Sequence, residues 1–217
     1  MTRSASAIRT VVVTGPECTG KTTLAAALAD LFAAPWTPEA SRQFAEQASE
    51  PLSSGTVAPI ARLAMRLEDE ARAASPTLLI RDTDLVSTMV YARHYYGSVE
   101  EWIAAEARAR RADLYLLCAP DLPWTPDGIR DRPDQRDEMY ADFGRTLAEL
   151  HAPVSEIRGT GDARTLAAVA SVRAFLDQAA HGAPGGAARG AGSGAVSSAV
   201  SGAATRPPPD PAPRRTP

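Results

Sequence analysis

Short apolar runs alternate with longer polar segments along most of this chain. Four runs rich in Val, Leu and Ile predict strands at residues 10–14, 77–82, 113–118 and 153–157. Such runs are typical of strands buried on both faces of a parallel sheet. A weaker fifth strand is predicted near residues 35–37.

Between the strand-like runs, apolar residues recur every three or four positions, which is the period of an amphipathic helix. The helices predicted in this way cover residues 22–32, 53–74 and about 163–179. Parallel strands need crossover connections, and helices usually supply them. The pattern therefore predicts a three-layer α/β fold with a parallel five-stranded sheet.

The segment between the first strand and the first helix carries a phosphate-binding motif. Residues 15–22 read GPECTGKT, which fits G-x-x-x-x-G-K-[S/T] in the strand–loop–helix context that the motif requires. Backbone N–H groups of such a loop face the phosphates at the positive end of the helix dipole. Lys21 is the only lysine of the chain, although 23 residues are Lys or Arg, and its compact ammonium suits a narrow loop.

This motif predicts a P-loop NTPase that binds ATP and Mg²⁺. Lys21 is expected to reach the β- and γ-phosphate oxygens and Thr22 to bind the metal through its hydroxyl. The predicted nucleotide-binding residues are Gly15, Pro16, Glu17, Cys18, Thr19, Gly20, Lys21, Thr22 and Thr23.

The composition changes near residue 181. Residues 181–217 have no aromatic side chain and are rich in Gly, Ala and Pro, so they are predicted to form a disordered tail. Residues 1–180 are predicted to form the P-loop domain. The tail holds four Arg and one Asp, a net charge of +3. Because the whole chain carries −3, the first 180 residues carry −6. An acidic domain argues against a general nucleic-acid surface.

Two cysteines are too few for a disulfide framework, and no apolar run is long enough for export or for membrane insertion. The chain is therefore predicted to be cytoplasmic.

Acidic residues follow two of the predicted strands, where ligands bind in open α/β sheets. Asp82 is predicted to be a catalytic residue that helps to hold Mg²⁺. Asp84 could contact the acceptor or cap a helix. Glu39 could take or position the acceptor proton, with Arg42 orienting it; the alternative is an ion pair on a helix surface.

Aromatic residues follow the second acidic segment. Tyr91, Tyr95, Tyr96 and Trp102 could line an acceptor pocket that stacks a flat ring, or could pack in the core. The acids nearby favour a neutral or cationic acceptor over a nucleoside monophosphate.

The segment 124–136 is polar and rich in turns, and it concentrates three arginines after a strand. Arginines on a mobile loop can neutralise the charge of a transferring phosphoryl group while excluding water. Arg130 and then Arg132 are therefore predicted to be catalytic residues of a lid.

Several segments together resemble one family. They are GPECTGKTTL at 15–24, PEASRQF at 38–44, DTD at 82–84, YYG at 95–97 and LYLLCAPDLPWTPDGIRDRPDQR at 114–136. The chain resembles the ribosylnicotinamide kinase domain of the bacterial NadR-type NAD-salvage proteins, and the standalone phosphate-loop ATPases related to it.

The resemblance implies a nucleoside-kinase-like fold and transfer of the ATP γ-phosphate to the 5′-hydroxyl of nicotinamide riboside, a small-molecule acceptor. It places Glu39, Asp82 and Asp84 in the acceptor and metal site, and Arg130 and Arg132 in the lid. The H-x-G-H signature of the adenylyltransferase domain found in bifunctional relatives does not occur in this sequence, so adenylyl transfer is not expected. Open alternatives are a kinase of another nucleoside-like alcohol and a regulatory ATPase.

Overall fold

The five predicted strands form one parallel sheet in the order β2-β3-β1-β4-β5. Their bounds are β1 Arg9–Thr14, β2 Trp36–Thr37, β3 Leu78–Asp82, β4 Leu114–Cys118 and β5 Val154–Ile157. The computed structural model describes residues 8–48, 51–125 and 133–181. The predicted lid arginines and nearly all of the predicted tail lie outside these residues.

Helices connect the strands and cover both faces of the sheet. They are α1 Lys21–Phe32, α2 Ala40–Gln47, α3 Val57–Ala73, α4 Leu85–Tyr96, α5 Glu101–Ala109, α6 Arg136–Glu149 and α7 Gly161–His181. Short 3₁₀ turns at Ser54–Thr56 and Pro133–Gln135 precede α3 and α6. The strands, α1, α3 and α7 were predicted, whereas α5 was not.

Strand β1 shows why three layers form. Val11, Val12 and Val13 are fully buried, and their side chains alternate between the two faces. Val11 and Val13 pack with α1 and α7, whereas Val12 packs with α3, α4, α5 and α6. Burial of each valine contributes about 1.5–3 kcal/mol before the entropy of ordering is subtracted. The predicted three-layer α/β fold is confirmed.

The parallel register brings strand ends together. Val13 of β1 lies beside Asp82 of β3, and Thr14 lies beside Leu117 of β4. The loops that follow β1, β3 and β4 therefore meet at one edge of the sheet, where the candidate site lies. No helix among residues 8–48, 51–125 and 133–181 is both long and apolar enough to cross a membrane.

Candidate active site

The predicted phosphate loop connects β1 to α1 and packs against the end of β4. Gly15 has φ +133°, and a Cβ placed there would lie 2.6 Å from the Cys118 carbonyl oxygen. No residue with a side chain fits this position without moving the backbone of β4. Gly20 has φ +73° and caps α1, so a second glycine meets a left-handed requirement.

Two hydrogen bonds within the loop stabilise its turn. The Thr19 hydroxyl donates to the Pro16 carbonyl at 2.9 Å, and Lys21 Nζ donates to the same carbonyl at 2.8 Å. Lys21 is 6% exposed. Its ammonium is therefore held inside the turn rather than extended into solvent.

Arg164 of α7 holds the phosphate loop from outside. Its Nη2 donates to the carbonyls of Thr19 at 2.9 Å and Ala119 at 3.1 Å, and its Nη1 donates to Asp121 Oδ1 at 2.6 Å. The sequence analysis missed this residue. The available signal was a charged residue near the start of an alanine-rich helix that follows a strand end.

Arg136, the last residue of the predicted lid segment, also contacts the loop. Its Nη2 donates to the Cys18 carbonyl at 3.3 Å and its Nη1 donates to the Leu122 carbonyl at 3.0 Å. Cys18 has φ +53°, and its thiol donates to the Thr125 carbonyl at 2.9 Å. The described end of this segment therefore lies against the phosphate loop. Arg130 and Arg132 are not described and remain predictions.

Asp82 joins the phosphate loop to β3. Thr22 Oγ1 donates to Asp82 Oδ2 at 2.6 Å, whereas Asp82 Oδ1 is buried without a hydrogen-bond partner among the described residues. Burial, followed by the nearby Glu39 carboxylate, raises the pKa of Asp82 to about 6. An orphaned carboxylate oxygen next to a threonine hydroxyl is a suitable set of ligands for Mg²⁺.

A cavity of about 330 Å³ opens beside Asp82. Its walls come from the end of β2, from α3, from the end of β3 and from α4. Glu39 and Asp82 supply carboxylates, and Tyr91, Tyr95 and Tyr96 supply rings. A cavity therefore lies where the acceptor pocket was predicted, and its role as an acceptor pocket stays a prediction. Trp102 is not among its lining residues; it packs on the core, with the Arg62 guanidinium 5.1 Å from its ring.

Glu39 forms the ion pair with Arg42 that the alternative interpretation required, but it is buried rather than on the surface. It is 6% exposed and precedes α2 as its N-cap, although its side chain makes no capping bond. Ser41 Oγ donates to its Oε1 at 2.6 Å, and Arg42 Nε lies 4.0 Å from its Oε2. The role of Glu39 in proton transfer stays a prediction, with geometry that permits it.

Two tyrosines of α4 connect the cavity to the phosphate loop. Tyr91 Oη donates to the Gly15 carbonyl at 3.2 Å, and Tyr95 Oη donates to Glu17 Oε1 at 2.6 Å. The Tyr91 ring also packs edge-on against Phe143, with centroids 5.7 Å apart. Tyr91 therefore packs on the core, as one interpretation required, and also lines the cavity; stacking on an acceptor ring stays a prediction.

The structure assigns Asp84 to the capping alternative rather than to an acceptor contact. Its Oδ1 accepts the Ser87 backbone N–H at 3.1 Å, and its Oδ2 accepts the Tyr115 hydroxyl at 2.7 Å. Asp84 is 3% exposed and does not line the cavity. Burial raises its pKa, which these hydrogen bonds partly offset. Both carboxylate oxygens already accept hydrogen bonds within the protein, so Asp84 caps and positions α4.

A buried ion pair at the cavity was also missed. Arg81 of β3 and Glu68 of α3 are each 1% exposed, and Arg81 Nη2 lies 3.0 Å from Glu68 Oε2. The sequence signals were an arginine inside an apolar strand and a glutamate on the buried stripe of α3, four residues after Ala64.

The site belongs to the phosphate-loop class of nucleotide-binding proteins. Residues 10–164 match the AAA domain family, and because this match covers most of the chain, the chain belongs to that family. It is 27% identical over 147 residues to the "Trifunctional NAD biosynthesis/regulator protein NadR" of Escherichia coli strain K12. That match covers 66% of this chain and 35% of the relative, so the chain spans about a third of the length of the curated relatives that it matches.

Two solved structures are similar to this chain in fold. A NadR protein in complex with NR superposes with a TM-score of 0.64 at 25% identity, over 78% of this chain and 52% of that one. A NadR protein in complex with NAD and AMP-PNP superposes with a TM-score of 0.63 at 22% identity, over 78% and 50% respectively. The expected NadR-like, kinase-type phosphate-loop domain is confirmed.

Proposed function

We propose that this protein is an ATP-dependent kinase that phosphorylates nicotinamide riboside to nicotinamide mononucleotide, in NAD salvage. The observation that carries the proposal is the shared position of Asp82. This residue accepts a hydrogen bond from Thr22 of the phosphate loop and also lines the aromatic cavity. A nucleoside in the cavity would therefore present its hydroxyl to the phosphate-binding side. The NadR structure with NR supports the choice of acceptor.

The reaction requires few covalent steps from the protein. The acceptor hydroxyl oxygen forms a bond to the γ-phosphorus, the bond from that phosphorus to the bridging oxygen of ADP breaks, and the hydroxyl proton passes to a carboxylate. Glu39 and Asp82 both line the cavity and are the two candidates for that carboxylate. Lys21 stabilises the negative charge of the transferring group, as a positioned ammonium does in this class of enzyme.

Thr22 and Asp82 are the residues that would hold Mg²⁺. Mg²⁺ held there would supply positive charge that offsets the negative charge of the nucleotide phosphates. The Thr22 hydroxyl and the Asp82 carboxylate are already in contact, so the loop and β3 are aligned for this purpose. We include Arg130 and Arg132 in the proposal as lid residues that neutralise charge at the γ-phosphate.

The charge of the cavity fits the proposed acceptor. Two carboxylates, from Glu39 and Asp82, lie at its phosphate-loop end. Nicotinamide riboside carries a positive pyridinium ring, which such a site tolerates better than the phosphate of a nucleoside monophosphate.

The test is a panel of nucleosides with ATP and Mg²⁺, followed by ADP release and by the mass of the product. We expect nicotinamide riboside to give a product heavier by one phosphoryl group. Phosphorylation of a different nucleoside alone would assign another acceptor. Steady ATP hydrolysis with no phosphorylated product from any nucleoside would instead indicate a regulatory ATPase.

A further inference from the structure

Arg81 has a hydrogen-bonding capacity that the described part of the protein leaves unused. The side chain is among the largest fully buried ones, and its Nη2 forms the ion pair with Glu68. Its Nε and Nη1 have no hydrogen-bond partner among the described residues. Buried donors without acceptors are unfavourable, so a native structure that keeps them invites a search for the group they bind.

The position of Arg81 indicates where that group would lie. Arg81 lines the acceptor cavity, together with Ala64 and Leu67 of α3. In the sheet it lies beside Val12, whose side chain packs on the α3 and α4 layer. Since parallel neighbours in register project to the same face, the Arg81 side chain extends into the layer that encloses the cavity.

Among the charged side chains that line the cavity there are two kinds of polar group. Glu39 and Asp82 are carboxylates that accept hydrogen bonds, as a reacting hydroxyl requires. Arg81 can only donate. A ligand that fills the cavity and satisfies all three residues needs a hydroxyl for the carboxylates and an acceptor oxygen for Arg81.

The surrounding charges decide which kind of oxygen fits. Glu68 already balances the charge of Arg81, and its Oε1 accepts from Arg72 Nε at 2.8 Å. Arg110 Nη1 lies 3.6 Å from Glu68 Oε2 and is itself paired with Asp69 at 2.6 Å. The charge of Arg81 is therefore matched while two of its donor nitrogens are not, which favours a neutral carbonyl oxygen over a carboxylate.

We propose that Arg81 donates a hydrogen bond to a carbonyl oxygen on the ring system of the acceptor, and so selects nucleosides whose base carries such an oxygen. This inference rests on the proposed nucleoside kinase function and names the chemical feature that its acceptor site recognises. For nicotinamide riboside the group is the carboxamide oxygen.

The experiment compares kcat/KM for matched acceptors. The first pair is nicotinamide riboside and the pyridinium riboside that lacks the carboxamide, with nicotinic acid riboside as the carboxylate analogue. The second pair is inosine, which carries a ring carbonyl, and adenosine, which carries an amino group there. We expect the wild-type enzyme to prefer the carbonyl-bearing member by about 10- to 100-fold, the usual range for a hydrogen bond to a charged donor.

Arg81→Met removes the donors but keeps an apolar side chain of similar length, and the preference is expected to fall to about 3-fold or less. Arg72→Met is the matched control, because it also removes a partner of Glu68 but does not line the cavity. It should retain the wild-type preference. Arg81→Met/Glu68→Gln removes the charges of both partners of the buried pair, and circular dichroism with the melting temperature checks that each variant folds.

An unchanged preference in both Arg81 variants would overturn the proposal, as would a wild-type enzyme with no preference for the carbonyl. A wild-type preference for nicotinic acid riboside would overturn the choice of a neutral oxygen. If nicotinamide riboside is not phosphorylated but inosine is preferred over adenosine and loses that preference with Arg81→Met, the proposed acceptor fails while the role of Arg81 stands.

Discussion

The phosphate loop and the acceptor cavity lie side by side, but they are built in different ways. The loop is one continuous segment, residues 15–22. Backbone angles and bonds to the Pro16 carbonyl shape it, and Arg136 and Arg164 only support its carbonyls from outside. The cavity has no such segment, because its walls come from β2, α3, β3 and α4. Phosphates are common to all nucleotides, so a local backbone turn can bind them, whereas an acceptor requires side chains from several elements.

Lys21→Ala should have the largest effect, because it removes the ammonium from the phosphate loop. We expect kcat to fall by about 10²–10³-fold through lost stabilisation of the transferring group. Lys21→Arg keeps the charge but adds a planar fork to a nearly buried position, and should also be severely impaired. Phosphoryl transfer is measured with ATP and the acceptor. Activity of Lys21→Ala within about 10-fold of wild type would contradict the assigned role.

Gly15→Ala tests the claim that the backbone shapes the loop. The added Cβ would meet the Cys118 carbonyl at 2.6 Å, and the residue would have φ +133°, so we expect a loss of about 2–4 kcal/mol in the free energy of unfolding. Gly144→Ala in α6 is the control, because a Cβ there has no atom within 4 Å. It should be neutral or stabilising by up to about 1 kcal/mol. Denaturant unfolding measures both, and equal stability of the two variants would refute the steric argument.

Asp82→Asn changes the residue that contacts the phosphate loop and also lines the cavity. Because its pKa is raised, Asp82 is protonated in the folded protein but ionised in the unfolded chain between pH about 4 and about 6. The free energy of unfolding contributed by this group therefore falls as the pH rises through that window. The variant should lose turnover yet be about 1–3 kcal/mol more stable than wild type at pH 7 without nucleotide.

Urea unfolding at pH 4 and pH 7 checks the Asp82 prediction, since the gain should shrink at the lower pH. Asp30→Asn, at an exposed position of α1, is the control and should change stability by less than about 0.5 kcal/mol. A variant that is less stable than wild type at pH 7 would show that Asp82 is stabilising in the absence of nucleotide.

Tyr91→Leu should have the smallest effect and should act on the acceptor side. Leu retains apolar volume but removes the ring, so we expect the KM for the acceptor to rise by about 3- to 10-fold, the value of one aromatic contact. Tyr91→Phe keeps the ring and loses the bond to the Gly15 carbonyl. Steady-state kinetics with each substrate varied separates the effects. A larger change in the KM for ATP than for the acceptor would assign Tyr91 to the phosphate loop instead.

The same contrast explains what could be predicted from the sequence. The strands, the phosphate loop and Asp82 follow from local patterns, because each pattern lies in one continuous segment. Arg164 could not be assigned, because Thr19, whose carbonyl it contacts, is 145 residues away in the chain. Arg81 and Glu68 are 13 residues apart, and only the fold brings them together. Asp84 was left between two roles because a helix cap and a ligand contact use the same side chain.

A chain with one lysine carries one side-chain primary amine, and here it lies within the phosphate turn. Reagents selective for primary amines, such as those of reductive alkylation, can therefore modify, apart from the amino terminus, only this single side-chain nitrogen. Its labelling rate, followed by intact mass with and without nucleotide, gives a direct measure of occupancy. Because Lys21 is the only lysine, any enzymatic acetylation of a lysine in this protein would modify the phosphate loop.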